Sequence, residues 1–360
     1  MKKLTIIFII ANMLLLAVYA TPGYEPGISG DITTNKDEYK YSETVFLSGE
    51  PVRMEGTVEI KESSNGGKTT VEYTLANTAK KATLDRKVIF QNTSSSDATG
   101  KQTTYSTTLD PKYSEEITIG SNTYELSEYL FSRSGSKDDR DIIKYLNSDW
   151  NGRKVYSVND GKGEIVVDVT SHQYGYNNYW SSTETATIKH MITYRYKKSS
   201  NASTFSEDYG SVEYAISNSA LKTIQYVTSG PLDMSYAGGY ILKDSQENVA
   251  SYIYDIPKLS GIVPTGTRNK SKDSYQLDTV PVQTRLLSNN IKDIYSSYWA
   301  AEDIKKVTAL GIIDMSGIDY FRPLSFVSRG EFAKAVIKVS DMGGTAVKKT
   351  KYSSFEQYYT

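Results

Sequence analysis

Apolar and polar residues alternate along much of the chain between residues 39 and 280. In residues 52–60 nearly every second side chain is apolar, residues 63–67 (SSNGG) form a turn signal, and the alternation resumes in residues 71–75. A period of two indicates a half-buried strand, and a break rich in Gly and Asn between two such strands predicts a β-hairpin. This part of the chain is therefore predicted to begin with antiparallel strands.

The same pattern recurs further along the chain and predicts a mainly β fold. Turn signals at residues 120–122 and 159–163 separate shorter alternating stretches, and residues 183–196 alternate over enough length for one long strand. Repeated strands with short connections predict a large antiparallel β-sandwich region. A polar run at residues 197–206 could divide it, so we expect a β-rich domain at residues 39–197. Residues 198–280 then form a second β-rich domain or continue the first.

The remaining segments around this region lack sustained periodicity. Residues 21–38 are interpreted as an N-terminal linker, and residues 262–290 as a linker or strap, of which residues 281–290 lead directly into the last folded part. One helical interruption is predicted at residues 138–146, because aspartates crowd its potential N-terminus. A single short helix there would leave the predicted fold class mainly β.

Residues 291–342 show helical rather than strand periodicity. In the first pattern Ala300, Ile304 and Val307 recur at helical spacing, and Gly311 stands where a left-handed C-terminal cap is expected. The second pattern begins at Ser328, whose hydroxyl can accept from the N–H of Glu331 while the Glu331 carboxylate reaches back to the Ser328 N–H. Two short amphipathic helices are therefore predicted near the C-terminus.

The N-terminal residues and the composition of the chain limit the classes of protein to which it can belong. Residues 1–20 combine two lysines with an apolar run and small residues before Thr21, which predicts a cleaved secretory signal peptide, with an uncleaved membrane anchor as the alternative. The net charge of −1 argues against a nucleic-acid partner, which would need a basic face. The chain has no cysteine, so disulfides, thiol catalysis and cysteine metal sites are excluded.

A catalytic constellation is not visible in the sequence. Only His172 and His190 could serve as an imidazole base, and His190 lies inside a strand pattern. Two separated histidines do not suggest a zinc site, and residues 160–164 are better explained as a hairpin turn than as a calcium loop. Tyr174–Trp180 could stack on sugars, although tyrosine is also a common strand residue. We therefore predict a non-enzyme without cofactor or metal, and keep a carbohydrate-active enzyme or glycan-binding adhesin as the alternative.

The helical stretch resembles an S-layer homology (SLH) motif of bacterial surface proteins. The family begins with an aspartate and an aliphatic residue, here Asp293-Ile294, and opens its first helix with Trp-Ala, here Trp299-Ala300. That helix ends at Gly-Ile-Ile, here Gly311-Ile312-Ile313, and a Phe-x-Pro loop follows, here Phe321-Arg322-Pro323. The second helix opens with Thr-Arg-Ala-Glu in the family and with Ser328-Arg329-Gly330-Glu331 here. The last differs from the family pattern at Ser328 and Gly330, and the glycine weakens the first helical turn by roughly 1 kcal/mol. The resemblance covers residues 291–342.

The resemblance implies a wall-attached, secreted protein at the cell surface. Such motifs recognise secondary cell-wall polysaccharide, often bearing pyruvyl ketals, so it implies a binding site at Ser328, Arg329 and Glu331 with Trp299 as a stacking surface. The start of a helix and an arginine suit a fixed carboxylate. No membrane contact is expected after signal cleavage. Because the family packs three motifs together, we expect either a second motif truncated within residues 343–360 or a homotrimer of single motifs.

Overall fold

A computed structural model describes residues 25–35, 37–63, 67–140, 142–197, 204–227, 239–287, 291–315 and 319–340. The predicted signal peptide and residues 343–360 lie outside these ranges. The strands are β1 (Gly27–Ile32), β2 (Glu38–Val45), β3 (Val52–Glu62), β4 (Lys68–Asn77), β5 (Ala82–Ser96), β6 (Gln102–Leu109), β7 (Ser114–Ile119), β8 (Asn122–Asp139), β9 (Ile143–Val158), β10 (Gly163–Asn178), β11 (Ser181–Tyr196), β12 (Ser206–Val227), β13 (Gly239–Ser260), β14 (Val263–Asp278) and β15 (Val282–Leu287). Two helices follow, α1 (Ala301–Ala309) and α2 (Arg329–Val339).

The described strands form a single antiparallel sheet in which chain neighbours are almost always sheet neighbours. The order runs from β1 to β14, with β7 paired to β5 and β8 and with β15 paired to β13. One continuous cluster of buried apolar side chains joins β1 and β2 to β10 through β14. The prediction of a mainly antiparallel β fold followed by two short helices is confirmed, and one curled sheet supplies both faces of the core.

Several predicted boundaries differ from the structure. β12, which begins at Ser206, pairs with β11, so the second predicted β-rich stretch continues the sheet of the first, one of the two alternatives the sequence left open. The predicted helix at 138–146 is wrong, because β8 and β9 meet there in a hairpin closed by the Arg140 N–H to Ile143 carbonyl bond. The predicted linkers contain the strands β1, β14 and β15. These three strands cover or extend the sheet edges, where few positions are apolar and alternation is weak.

Tyrosine hydroxyls complete the backbone hydrogen bonding of β2. β1 pairs with β2 only as far as Glu43, so the carbonyl groups beyond it have no strand partner on that side. The hydroxyl of Tyr194 donates to the Phe46 carbonyl at 2.8 Å, and that of Tyr214 donates to the Thr44 carbonyl at 3.2 Å. A buried carbonyl without a partner is costly, so these hydroxyls fix the curl of β11 and β12 over β2.

A cluster of five buried charges lies inside the curled sheet. Arg86 of β5 binds Glu43 in a bidentate pair at 2.9 and 3.0 Å and also binds Glu115 at 2.8 Å. Lys154 of β9 binds Glu25 at 2.6 Å and Glu115 at 3.0 Å. Three carboxylates therefore face two cations. Such a cluster is tolerated in a core only because each charge has a hydrogen-bonded counter-charge.

The pKa values of two carboxyls in the cluster shift in opposite directions. Burial raises the pKa of Glu115, but the charges of Arg86 and Lys154 outweigh it and lower the value to about 2. Burial dominates for Glu25 and raises its pKa, because its Arg86 contact is longer, at 3.5 Å, and Glu43 and Glu115 repel its charge. The cluster therefore favours the ionised form of Glu115 and disfavours that of Glu25.

The segments that the structure describes contain no helix long and apolar enough to cross a membrane.

The opposite shifts predict opposite effects of removing the two charges. The folded-state pKa of Glu115 lies below its ordinary value of 4.5, so its stabilising contribution is present above pH 4.5 and is lost as the pH falls toward 2. We expect Glu115→Gln to lower the free energy of unfolding at pH 7 by about 3 kcal/mol, and to lower it less at pH 3. Urea unfolding at both pH values measures the difference.

Glu25→Gln is the matched comparison in the same cluster. The raised pKa of Glu25 means that its contribution is fully present below pH 4.5 and is lost as the pH rises through the folded value. The glutamine resembles the protonated acid, so this variant should keep or increase the free energy of unfolding at pH 7. Equal destabilisation by both substitutions would contradict the opposite directions of the two pKa shifts.

Candidate functional site

The helical part has a small core of its own. Ile291 and Ile294 precede α1 and are buried against Ala301 and Ile304, which lie on one side of that helix. Tyr298, Ala300, Met315 and Phe321 pack around them. The helical spacing of Ala301 and Ile304 places both on the face that covers this core.

Asp293 holds the loop between the two helices. Its carboxylate accepts from the backbone N–H of Phe321 at 2.9 Å and of Arg322 at 2.6 Å, and the bond to Phe321 is the main cause of its lowered pKa. Arg322 has a φ of +59°, a left-handed conformation that is uncommon for a residue with a Cβ. Two charge-assisted bonds keep the backbone in that conformation. The sequence identified Asp293 only as part of the family pattern and missed this role.

The start of α2 and the end of α1 form as the sequence predicts. The Ser328 hydroxyl accepts from the Glu331 N–H at 3.2 Å, and the Glu331 carboxylate accepts from the Ser328 N–H at 2.8 Å. These bonds lower the pKa of Glu331, the backbone bond most strongly. Gly311 follows α1 with a φ of +66° and is therefore the left-handed cap.

α2 is attached to the rest of the motif by charges and leaves its apolar face uncovered. Lys334 and Lys338 bind the two carboxylate oxygens of Asp314 at 2.7 and 3.0 Å, and the Lys338 ammonium also donates to the Gly311 carbonyl at 2.6 Å. No residue of α2 is buried within the described chain. Phe332 is 67% exposed, and the side chains of Val336, Leu324 and Phe326 are exposed as well.

Arg329 stands free at the first turn of α2. Its side chain is exposed and forms no hydrogen bond or ion pair within the described ranges. The backbone N–H groups of Arg329 and Gly330 belong to the first helical turn and have no intrahelical acceptor. The Glu331 carboxylate already lies at this positive helix end. An anionic ligand would therefore depend chiefly on the guanidinium and on these two N–H groups.

Trp299 supplies an exposed aromatic ring just before α1. Trp299 precedes α1 and is 87% exposed, with its ring 6.0 Å from that of Tyr298. The contacts of α2 are made at the opposite end of α1, at Gly311 and Asp314. Ser328, Arg329 and Glu331 come together at the start of α2, and Trp299 stays a predicted stacking surface.

The histidines of the β region differ in their surroundings. His190 lies inside the sheet with its ring 5.0 Å from that of Tyr214, and burial lowers its pKa to about 3. It is a neutral packed residue at neutral pH. His172 is exposed and bonds Asp149 at 2.5 Å. Within the described residues no three His, Asp or Glu side chains are grouped as ligands for a metal ion.

Comparison with known proteins identifies the helical part. Residues 290–333 match the S-layer homology domain family, so the chain carries one SLH domain near its C-terminus. An SLH domain implies non-covalent anchoring to the cell wall and a cell-surface location. Such domains bind cell-wall polysaccharide in general. No curated protein and no solved structure matches the chain.

The glycines of the motif offer a test of the helix ends. Gly330 lies in the first turn of α2 with helical backbone, so Gly330→Ala should stabilise α2 by up to about 1 kcal/mol and slow amide exchange of residues 329–339 about fivefold. Gly311→Ala is the control with opposite sign, because its φ of +66° penalises a Cβ and should speed exchange at the end of α1. Hydrogen-exchange mass spectrometry measures both, and faster exchange of α2 in Gly330→Ala would contradict the assignment.

Proposed function

We propose that this protein is a secreted, non-enzymatic surface protein held on the cell wall by its SLH domain, with the β sheet displayed outward. The proposal is carried by the match at residues 290–333 together with the free guanidinium of Arg329 at the start of α2. The ligand is secondary cell-wall polysaccharide, and its carboxylate, a pyruvyl ketal where present, is bound by that guanidinium. The planar guanidinium of arginine can bind both oxygens of a fixed carboxylate, which a point charge such as the lysine ammonium does less well.

Each residue of the predicted site has a distinct role in this proposal. Arg329 is the only cation in the first turn of α2 and makes the contact with the carboxylate. Ser328 and Glu331 fix the helix start that presents it, through their reciprocal bonds. Trp299 stacks on a sugar ring elsewhere on the polymer, because its side chain is exposed next to Tyr298.

Substitution of Arg329 tests the charged contact. Loss of a charge-assisted hydrogen bond costs about 1.5–3 kcal/mol, so Arg329→Ala should bind the polymer about 10- to 100-fold more weakly. Co-sedimentation with purified walls, before and after removal of the secondary polymer, measures this. Arg140→Ala, an exposed arginine on the β sheet, is the matched control and should bind like the unaltered chain. Equal sedimentation with stripped and unstripped walls, or full binding by Arg329→Ala, would contradict the proposal.

We also propose that three copies associate through their SLH domains. The exposed face of α2 supports this, because no described part of the chain covers Phe332, Val336 and Val339. Exposed apolar patches of this kind mark interaction surfaces. A pseudo-threefold unit of motifs from three chains would cover them and bring neighbouring α2 starts around shared grooves.

The oligomer proposal has its own measurement. Phe332→Asp should convert the trimer to monomer in size-exclusion chromatography with light scattering, because it places a charge in the buried contact. Ile253→Asp is the control, since Ile253 is an equally exposed side chain on the outer face of the sheet. A monomeric unaltered chain at micromolar concentration would contradict trimer formation.

A further inference from the structure

Four aromatic side chains form a continuous strip on the outer face of the sheet. His172, Tyr174 and Tyr176 occupy alternate positions of β10, and Ser171 and Gln173, which flank His172, are buried. Tyr145 of β9 is the direct partner of Tyr176 and so lies on the same face. Tyr174 is 53% exposed. This aromatic strip, made of Tyr145, His172, Tyr174 and Tyr176, is about 13 Å long along β10 at roughly 3.3 Å per residue.

Short polar side chains flank the aromatic strip on both sides. On β11, Thr183, Thr185 and Thr187 stand directly opposite Tyr176, Tyr174 and His172. On β9, Asn147 is the partner of Tyr174, and Asp149 bonds His172. The neighbouring side chains are shorter than the rings, so the rings stand above a level surface of hydroxyl and amide groups.

The rings are held in place by the sheet itself. The His172 and Tyr174 rings lie 5.8 Å apart at an angle of 39°. Hydrogen bonds of the Tyr176 hydroxyl to Ser181 and Thr183 lower the pKa of that phenol. A surface built on paired strands needs little ordering on binding, which favours recognition by a few contacts.

The aromatic strip ends at the SLH domain. The hairpin after β10 carries Tyr179 and Trp180, whose rings are 5.1 Å apart. The Trp180 indole N–H donates to the Val339 carbonyl at the end of α2, at 2.9 Å. The hairpin beyond the aromatic strip is therefore in contact with the C-terminal end of α2.

We propose that the aromatic strip is a second carbohydrate-binding surface, which stacks on the sugar rings of an extended, uncharged stretch of glycan. Aromatic faces match the C–H faces of sugars, and the adjacent Thr hydroxyls and the Asn147 amide supply donors and acceptors for sugar hydroxyls. A protein partner would need an apolar interface core, and nucleic acid would need a basic surface. The flanks of the strip provide neither.

The experiment uses the full chain with three soluble probes in affinity gel electrophoresis: hydroxyethylcellulose, xylan, and glycan strands released from peptidoglycan. At least one probe should retard the protein, and Tyr174→Ala should bind it about five- to tenfold more weakly. Tyr209→Ala is the matched control, because Tyr209 is also an outward tyrosine, 57% exposed, on β12. Thermal unfolding shows that each variant is folded.

Arg329→Ala separates this proposal from wall attachment through the SLH domain. It should retain the retardation that Tyr174→Ala loses, so either proposal can fail without the other. Absence of retardation by all three probes, or equal loss in Tyr174→Ala and Tyr209→Ala, would overturn the carbohydrate surface. Self-association that disappears in Tyr174→Ala without any glycan binding would overturn it in favour of a contact between two copies of the chain.

Discussion

The curl of the sheet depends on the buried charges of Arg86 and Lys154. These two cations come from β5 and β9, and their partners Glu25, Glu43 and Glu115 come from the N-terminal segment, β2 and β7. Replacing such a cluster by apolar side chains can leave stability unchanged, whereas leaving one member unpaired costs about 3–5 kcal/mol. The main effect of the charge cluster is therefore to select one register of the strands. Other registers of a fifteen-stranded meander would leave a charge in the core without its partner.

Buried tyrosines also help to select which strands meet, on the other side of the core. The chain has 30 tyrosines, and several bury their rings while the hydroxyl reaches a backbone carbonyl. Phe46 lies among the rings of Tyr214, Tyr252 and Tyr254 at 5.2–5.9 Å. The buried apolar area of the rings stabilises the fold, and the hydrogen bonds of the hydroxyls determine which strands pack together. High tyrosine content thus serves the interior as well as the outer aromatic strip.

The sequence predicts the parts of this protein that are decided locally. A period of two marks the strands, and the Ser328–Glu331 box and Gly311 mark the helix ends, because those interactions join residues at most a few positions apart. The curl rests on contacts such as Lys154 with Glu25, which are far apart in the chain. The wrong helix at 138–146 arose because an aspartate cluster resembles a helix start, whereas hairpin pairing with β9 decided the structure. The role of Asp293 was missed because the backbone N–H groups that donate to it lie across a loop.

The SLH domain and the aromatic strip make most physical sense as contacts with one polymer. Within the described residues a single motif offers an exposed arginine at the start of α2 and a helix without buried residues, and so provides few interactions per chain. The two surfaces are linked by contacts such as the hydrogen bond of Trp180 with Val339. Two linked surfaces act on the same polymer chain at high effective concentration, which can raise the overall affinity by about 10²–10⁴. In the proposed function the contact at Arg329 would select a carboxylate-bearing polymer, and stacking on the aromatic strip would add affinity that salt does not screen. Attachment would then persist at ionic strengths that weaken the arginine contact alone.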